Sequence, residues 1–207
     1  MTDFLSYLLL SFLIVITPGI DFALITQRTI SSGRTDGLKM ALGITSGALI
    51  HTVAAAFGLS IILMKSALAF EIIKYIGAFY LIYLGASTFF KKKQEKDSET
   101  NEMNAGSYKS AFKQGLLSNT LNPKVAIFFL TFLPQFVSPA LNTNFQFILM
   151  GSGYALLSVL WFSALVFLLG HVRQLLMSNR VQSVIENVTG LVLIGFGARL
   201  LFTNSNH

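Results

Sequence analysis

The chain of 207 residues contains no cysteine and only three histidines. That excludes disulfides, thiol redox chemistry and thiolate metal sites, and it leaves few ligands from which to assemble a metal centre. Charge is scarce too. Asp, Glu, Lys and Arg make up 12% of the residues, about half of the ~25% carried by a soluble domain. The HExxH, GxSxG and P-loop patterns are missing, so neither an enzyme nor a cofactor is expected. No soluble domain is present to hydrolyse ATP. The apolar start, Phe4 to Ile16, lacks a basic n-region and runs into Thr17-Pro18-Gly19 instead of a small-residue cleavage site. It reads as half of a retained helix, not a signal peptide.

What abounds is apolar sequence: 53% hydrophobic, with 16 Gly and 19 Phe, in keeping with packed membrane helices. Six segments, roughly 4–27, 40–64, 72–90, 112–137, 145–170 and 184–202, reach the ~20 residues that a spanning helix needs. The expected fold class is an all-α membrane protein of six transmembrane helices, a single transmembrane domain over 1–207 set in a lipid bilayer. The one long hydrophilic stretch, KKKQEKDSETNEMNAGSYK from Lys91 to Lys109, reads as a linker within 91–110. It separates repeat one, 1–90, from repeat two, 111–207.

The two halves repeat an order of features. Pro18 and Pro123 lie 105 positions apart, each in the first helix of its half. Leu84-Gly85-Ala86 with Phe90 answers Phe196-Gly197-Ala198 with Phe202. Three helices per half is an odd number, so the second half must enter the membrane from the opposite side, giving an inverted repeat. The formal net charge of +6 would suggest nucleic acid in a soluble protein, but here the basic residues cluster in loops, where they set topology. No nucleic-acid partner is expected. Arg28, Arg34, Lys39, Lys91, Lys92, Lys93, Lys96, Lys109, Lys113, Arg173 and Arg180 share one side, against Lys65, Lys74 and Arg199 on the other. That majority predicts a cytoplasmic linker at 91–110 and both termini outside.

Thr17-Pro18-Gly19 and Asn122-Pro123-Lys124 interrupt helices 1 and 4 at mid-membrane. In each, an N-cap type precedes proline, the residue favoured at the first helical position. Each helix is therefore expected to break there, at Pro18 and Pro123, and to restart. A restart exposes unpaired N–H groups and a positive dipole end, tolerable only in buried or water-lined backbone. Asp21 would fall in the first turn after the first break, and Lys124 directly after Pro123. A charge at mid-helix costs about 2.5–3.5 kcal/mol even on lenient scales, and such residues serve pathways, proton relays or ion sites. The plainer alternatives are that Asp21 merely satisfies a helix start and that Lys124 snorkels. Lys124 lies about 18 Å of helix rise from either end, too far for an easy reach. Two half-helix N-termini suit a carboxylate. Asp21, or the carbonyls ending the preceding half-helices, suits an ammonium. An amino acid matches both, as would a single anion or a cation in part.

Weaker features remain. Gly43-x-x-x-Gly47 reads as helix packing, and Gly33-x-x-x-Gly37 as shaping the turn between the first two helices. His51 reads as a hydrogen-bonded core histidine. Gln114 and Asn119 could line a polar path or bond a neighbouring helix. Tyr75, Tyr80, Tyr83 and Trp161 read as packing or interface aromatics. The sequon Asn187-Val188-Thr189 lies near a helix start and is given no role.

The chain resembles the LysE/RhtB-type amino-acid exporters over nearly its whole length. The resemblance is carried by Thr17-Pro18-Gly19, Gly33-Arg34, Gly37-Leu38, Ala41-Leu42-Gly43 and Gly47. It continues through Ile76-Gly77-Ala78-Phe79-Tyr80-Leu81-Ile82-Tyr83-Leu84-Gly85 and Phe112-Lys113-Gln114-Gly115. Asn119, Asn122-Pro123-Lys124, Phe128-Phe129, Leu133-Pro134-Gln135-Phe136 and Gly195-Phe196-Gly197-Ala198-Arg199-Leu200 complete it. It implies a small bacterial inner-membrane exporter of amino acids, of the homoserine, threonine, leucine or basic type, driven by the proton gradient. Ile20 stands where that family often has a second proline. The expected function is secondary active export of a neutral amino acid bound between helices 1 and 4. Its carboxylate would sit near Gly19 and Lys124. Asp21 would receive the amino group or titrate as the coupling carboxyl. Thr17, Pro18, Gly19, Asp21, Asn119, Asn122, Pro123 and Lys124 are the candidate substrate-binding or coupling residues. A passive channel for small solutes is the alternative, and a flux-free scaffold ranks third. A homo-oligomer is compatible with the sequence.

Overall fold

The computed structural model describes residues 2–59, 110–138, 141–176 and 178–202, with scattered helical positions between 68 and 86. The described residues are helical or connecting, without strands. α1 (Thr2–Ile16) is apolar along its length and stops where Thr17 precedes proline, a position pushed out of the helical region. α2 (Ile20–Ser32) follows at a bend of 53°. Gly33, at φ +85°, turns α2 directly into α3 (Arg34–Ala54); a residue with a Cβ is strained there. At that turn Asp36 pairs with Arg28 (3.0 Å) and Lys39 (3.2 Å). α3 runs on through a wider π-helical turn, Ala55–Leu59.

The second half opens with α4 (Ala111–Thr120), capped by the Ser110 hydroxyl, and α5 (Pro123–Ile127), capped by Asn122. A π-helical turn at Phe128–Phe132 and a 3-10 turn at Leu133–Phe136 extend α5. The axis bends by 49° between α4 and this second piece. α6 (Thr143–Leu176) and α7 (Asn179–Phe202) follow.

The two interruptions differ in one respect from expectation. Pro123 is the first helical residue behind an Asn122 cap, as its sequence predicts. Pro18 is not, and Thr17 does not cap: α2 restarts at Ile20 behind Gly19, with no side-chain cap bond. The reason is local. The Thr17 hydroxyl turns back to donate to the Leu13 carbonyl at 2.5 Å and lies 3.1 Å from the Thr189 hydroxyl on α7. Pro18 and Gly19 therefore extend the gap before helix resumes.

α3 is the central element, packing on α2, α4 and α6. Its close approach to α4 depends on missing Cβ atoms. A Cβ on Gly43 would collide with the Phe112 carbonyl, and one on Gly115 with the Met40 carbonyl. A Cβ on Gly47 would lie 2.8 Å from the Asn119 Cβ. Gly43 meets Phe112 and Leu116, and Gly47, one turn further on, meets Asn119 and Thr120, so α3 and α4 run in the same direction. On α7, a Cβ on Gly197 would come within 2.7 Å of the Ala78 carbonyl. The core between α1, α5, α6 and the turns after α5 holds Tyr7, Phe128, Phe129, Phe132 and Phe147, all fully buried. Tyr7 Oη donates to the Met150 carbonyl at 3.0 Å. Leu5, Leu9, Leu42, Leu130, Leu156 and Leu160 face outward, which suits lipid and not water.

Arg34–Gly58 and Thr143–Leu169 are each long and apolar enough to cross a membrane, and the two bent pairs add two further spans if each crosses as one. These are four of the six expected segments. α7 lies on the sixth but is not selected by length and apolarity. The third, 72–90, lies mostly outside the described residues, as does the linker.

Candidate functional site

The two interruptions meet. Asp21, in the first turn of α2, is 7% exposed, and among the described residues its hydrogen-bond donors come from the other half of the chain. Ser118 Oγ donates to Oδ1 at 2.6 Å; Asn119 Nδ2 and Asn122 Nδ2 donate to Oδ2 at 2.9 and 3.3 Å. Ser118 and Asn119 end α4, and Asn122 begins α5. Asn122 has two roles, since its Oδ1 also accepts the Lys124 N–H at 3.0 Å. A buried carboxylate needs such donors, because an unpaired charge in a low-dielectric interior is very costly.

Lys124 reaches the other way. Its Nζ donates to the carbonyls of Ile14 (3.2 Å) and Thr17 (3.4 Å) at the end of α1. Pro18 explains why Ile14 is available: in a continuous helix the N–H of residue 18 would bond that carbonyl, and proline has none. The ammonium also sits at the negative end of the α1 dipole, which favours it. Gly19 lies beside it: a Cβ there would stand 3.6 Å from Nζ, in ordinary contact.

The second proline does the same. Pro123 leaves the Asn119 carbonyl without its helical donor, and that oxygen accepts from the Asn122 N–H (3.0 Å) and from His51 Nε2 of α3 (3.2 Å). Nε2 must carry the proton, because a carbonyl only accepts. The His51 ring stacks on Phe129, with centroids 5.6 Å apart. His51 is thus the hydrogen-bonded histidine its sequence context predicts.

Thr17, Gly19, Asp21, Asn119 and Lys124 line one cavity with Tyr154 and Ser158 of α6. Its volume is about 10 Å³, room for roughly one water. Asn122 bonds Asp21 from its edge. Pro18 and Pro123 act through the backbone they free. Sequence reasoning missed Ser118, Tyr154, Ser158 and Thr189. Ser118 was within reach, because Ser118-Asn119-x-x-Asn122 places three polar groups at one helix end. Tyr154 and Ser158 share a face at i, i+4 on α6, but nothing in that apolar helix marks which neighbour they meet. Thr189 was hidden in a sequon pattern.

Apolar helices with outward leucines, broken twice around a buried carboxylate and a lysine, define a multi-pass membrane protein whose polar centre is made of interrupted helices. Comparison with known proteins narrows this. The chain belongs to the LysE family, whose model, described as LysE type translocator, matches residues 12–204. It is 38% identical to the uncharacterized membrane protein YrhP of Bacillus subtilis (strain 168), over 96% of this chain and 98% of that one. It is 28% identical to a leucine efflux protein of Enterobacter sp. (strain 638), over 96% of this chain and 94% of that relative. A leucine efflux protein of Salmonella choleraesuis (strain SC-B67) shares 26% identity over the same proportions. No solved structure matches.

Proposed function

We propose that the protein is a secondary active exporter of neutral amino acids, of the homoserine, threonine or leucine type, working across the bacterial inner membrane by exchange for protons. The observation that carries this reading is Asp21: a buried carboxylate on one interrupted helix, held by Ser118, Asn119 and Asn122 of the other. Such a group couples proton binding to helix position. Ionised, it accepts from all three donors and holds the two breaks together. Protonated, it is a weaker acceptor, and the grip on α4 and α5 loosens. The substrate carboxylate pairs with Lys124 at the same crossing. The leucine efflux relatives support an amino-acid substrate.

A cavity of about 10 Å³ is too small for any amino acid, which favours an occluded state of an alternating-access cycle over an open pore. The architecture of this proposal is two inverted three-helix halves, with both termini outside and 91–110 in the cytoplasm. Its support is the odd number of apolar segments in each half and the surplus of Lys and Arg on the linker's side. The test is efflux of labelled amino acids from preloaded cells, with and without a protonophore. Asp21→Asn abolishes gradient-driven efflux while membrane insertion stays normal. Undiminished efflux from that variant rules out the coupling role.

A further inference from the structure

The carbonyl pair of Ile14 and Thr17 has chemistry of its own. Two acceptors converge at the negative end of the α1 dipole, in the wall of the cavity, and an ammonium already sits on them. Asp21 is occupied by three neutral donors of α4 and α5. Of the two groups able to receive a substrate ammonium, the carbonyls are therefore the pair already holding one.

We propose that the Ile14 and Thr17 carbonyls form the substrate's ammonium subsite, and that Lys124 Nζ is its resident stand-in when no substrate is bound. The proposal rests on the export reading and deepens it. An incoming α-amino acid exchanges partners with Lys124. Its carboxylate draws Nζ away from the carbonyls, and its ammonium takes the acceptors that Nζ leaves. Charge is conserved at each end, so neither the lysine nor the helix end is left bare in a low-dielectric interior. The same exchange sets specificity. An amine without a carboxylate cannot displace Lys124, and a carboxylic acid without an amine strips the carbonyls of their donor. Both charges are required, on one small molecule. Pro18 is the residue that creates the subsite, because it denies Ile14 its helical N–H.

The test uses the full chain in detergent, with binding read from the fluorescence of Trp161, the single tryptophan, which lies on α6 beside cavity-lining Phe162. The probes are leucine, isoamylamine and isocaproate, which share a side chain and differ in charged groups. Wild type binds leucine, and each analogue more weakly by about tenfold or more, the factor of one hydrogen bond to a charged group. Lys124→Met vacates the carbonyls, so isoamylamine binds about tenfold tighter than to wild type, and leucine binds more weakly. Adding Pro18→Ala to Lys124→Met restores the N–H that Ile14 lacks, and the gain for isoamylamine disappears. Equal isoamylamine affinity in wild type and Lys124→Met overturns the proposal, as does a gain that survives Pro18→Ala. Lys124→Gln, which keeps a neutral donor, gives an intermediate gain and guards against a misfolded methionine variant. Wild type that exports no leucine from vesicles, yet shows the isoamylamine gain on losing Lys124, counts against the export reading and for the subsite.

Discussion

Asn122 performs two tasks, and a short substitution series separates them. Its Oδ1 caps α5 at the Lys124 N–H, and its Nδ2 donates to Asp21 at 3.3 Å. Asn122→Ala removes both. Loss of the cap costs about 1 kcal/mol. A hydrogen bond to a charged group contributes about 1.5–3 kcal/mol, and the 3.3 Å length argues for the lower end. The expected total is about 2.5 kcal/mol, which for a chain of this size lowers the unfolding midpoint by roughly 5–10 °C. Asn122→Ser keeps a good capping oxygen but is too short to reach Asp21. Serine should therefore retain the cap and fall by only about 3–6 °C. The assay is thermal unfolding of the purified protein in detergent, followed by Trp161 fluorescence, with leucine efflux measured in parallel. Efflux should fall in both variants, because both loosen Asp21, while stability should separate them. Equal midpoints for the two variants refute the capping term. A midpoint within about 1 °C of wild type for both refutes the claim that Asn122 holds the buried carboxylate.

Three further outcomes follow from the packing. Gly33→Ala places a Cβ at φ +85°; it should cost about 1 kcal/mol, seen as a midpoint lowered by a few degrees, with efflux unchanged. Gly47→Ala pushes on the Asn119 Cβ, which a new Cβ would approach to 2.8 Å; it should reduce efflux well beyond its effect on folding, because Asn119 also holds Asp21. His51→Leu leaves the Asn119 carbonyl with the Asn122 N–H alone and should destabilise by about 1 kcal/mol. His51→Gln, which retains a donor, should recover part of that loss in the same unfolding measurement.

The two breaks and their charged residues are legible in the sequence, and the limit on the rest is physical. A proline inside a helix frees the carbonyl four residues upstream, so Pro18 points to Ile14 and Pro123 to Asn119 from numbering alone. The sequence therefore tells which backbone oxygens are released. It does not tell what takes them, because the takers come from far along the chain. Lys124 Nζ reaches Ile14 from 110 residues away, and His51 reaches the Asn119 carbonyl from 68. Lys124 follows a helix start, where a cation opposes the dipole. Only the bend brings it to the end of another helix, where the same charge is favoured. Thr17 misled for a related reason. A threonine before proline matches a cap in type, but its hydroxyl had a nearer acceptor in the Leu13 carbonyl at 2.5 Å. The two breaks thus keep one shared principle, a proline-freed carbonyl taken by a basic side chain of a distant segment, and differ in where helix resumes. Asp21 of α2 faces the donors of α4 and Asn122, while Lys124 of α5 reaches the carbonyls at the end of α1, so two similar interruptions yield an asymmetric centre with an acid facing one half and a base facing the other. An amino acid, the substrate proposed above, carries the same two charges on one small molecule, and a centre with an acid and a base on different elements can address both.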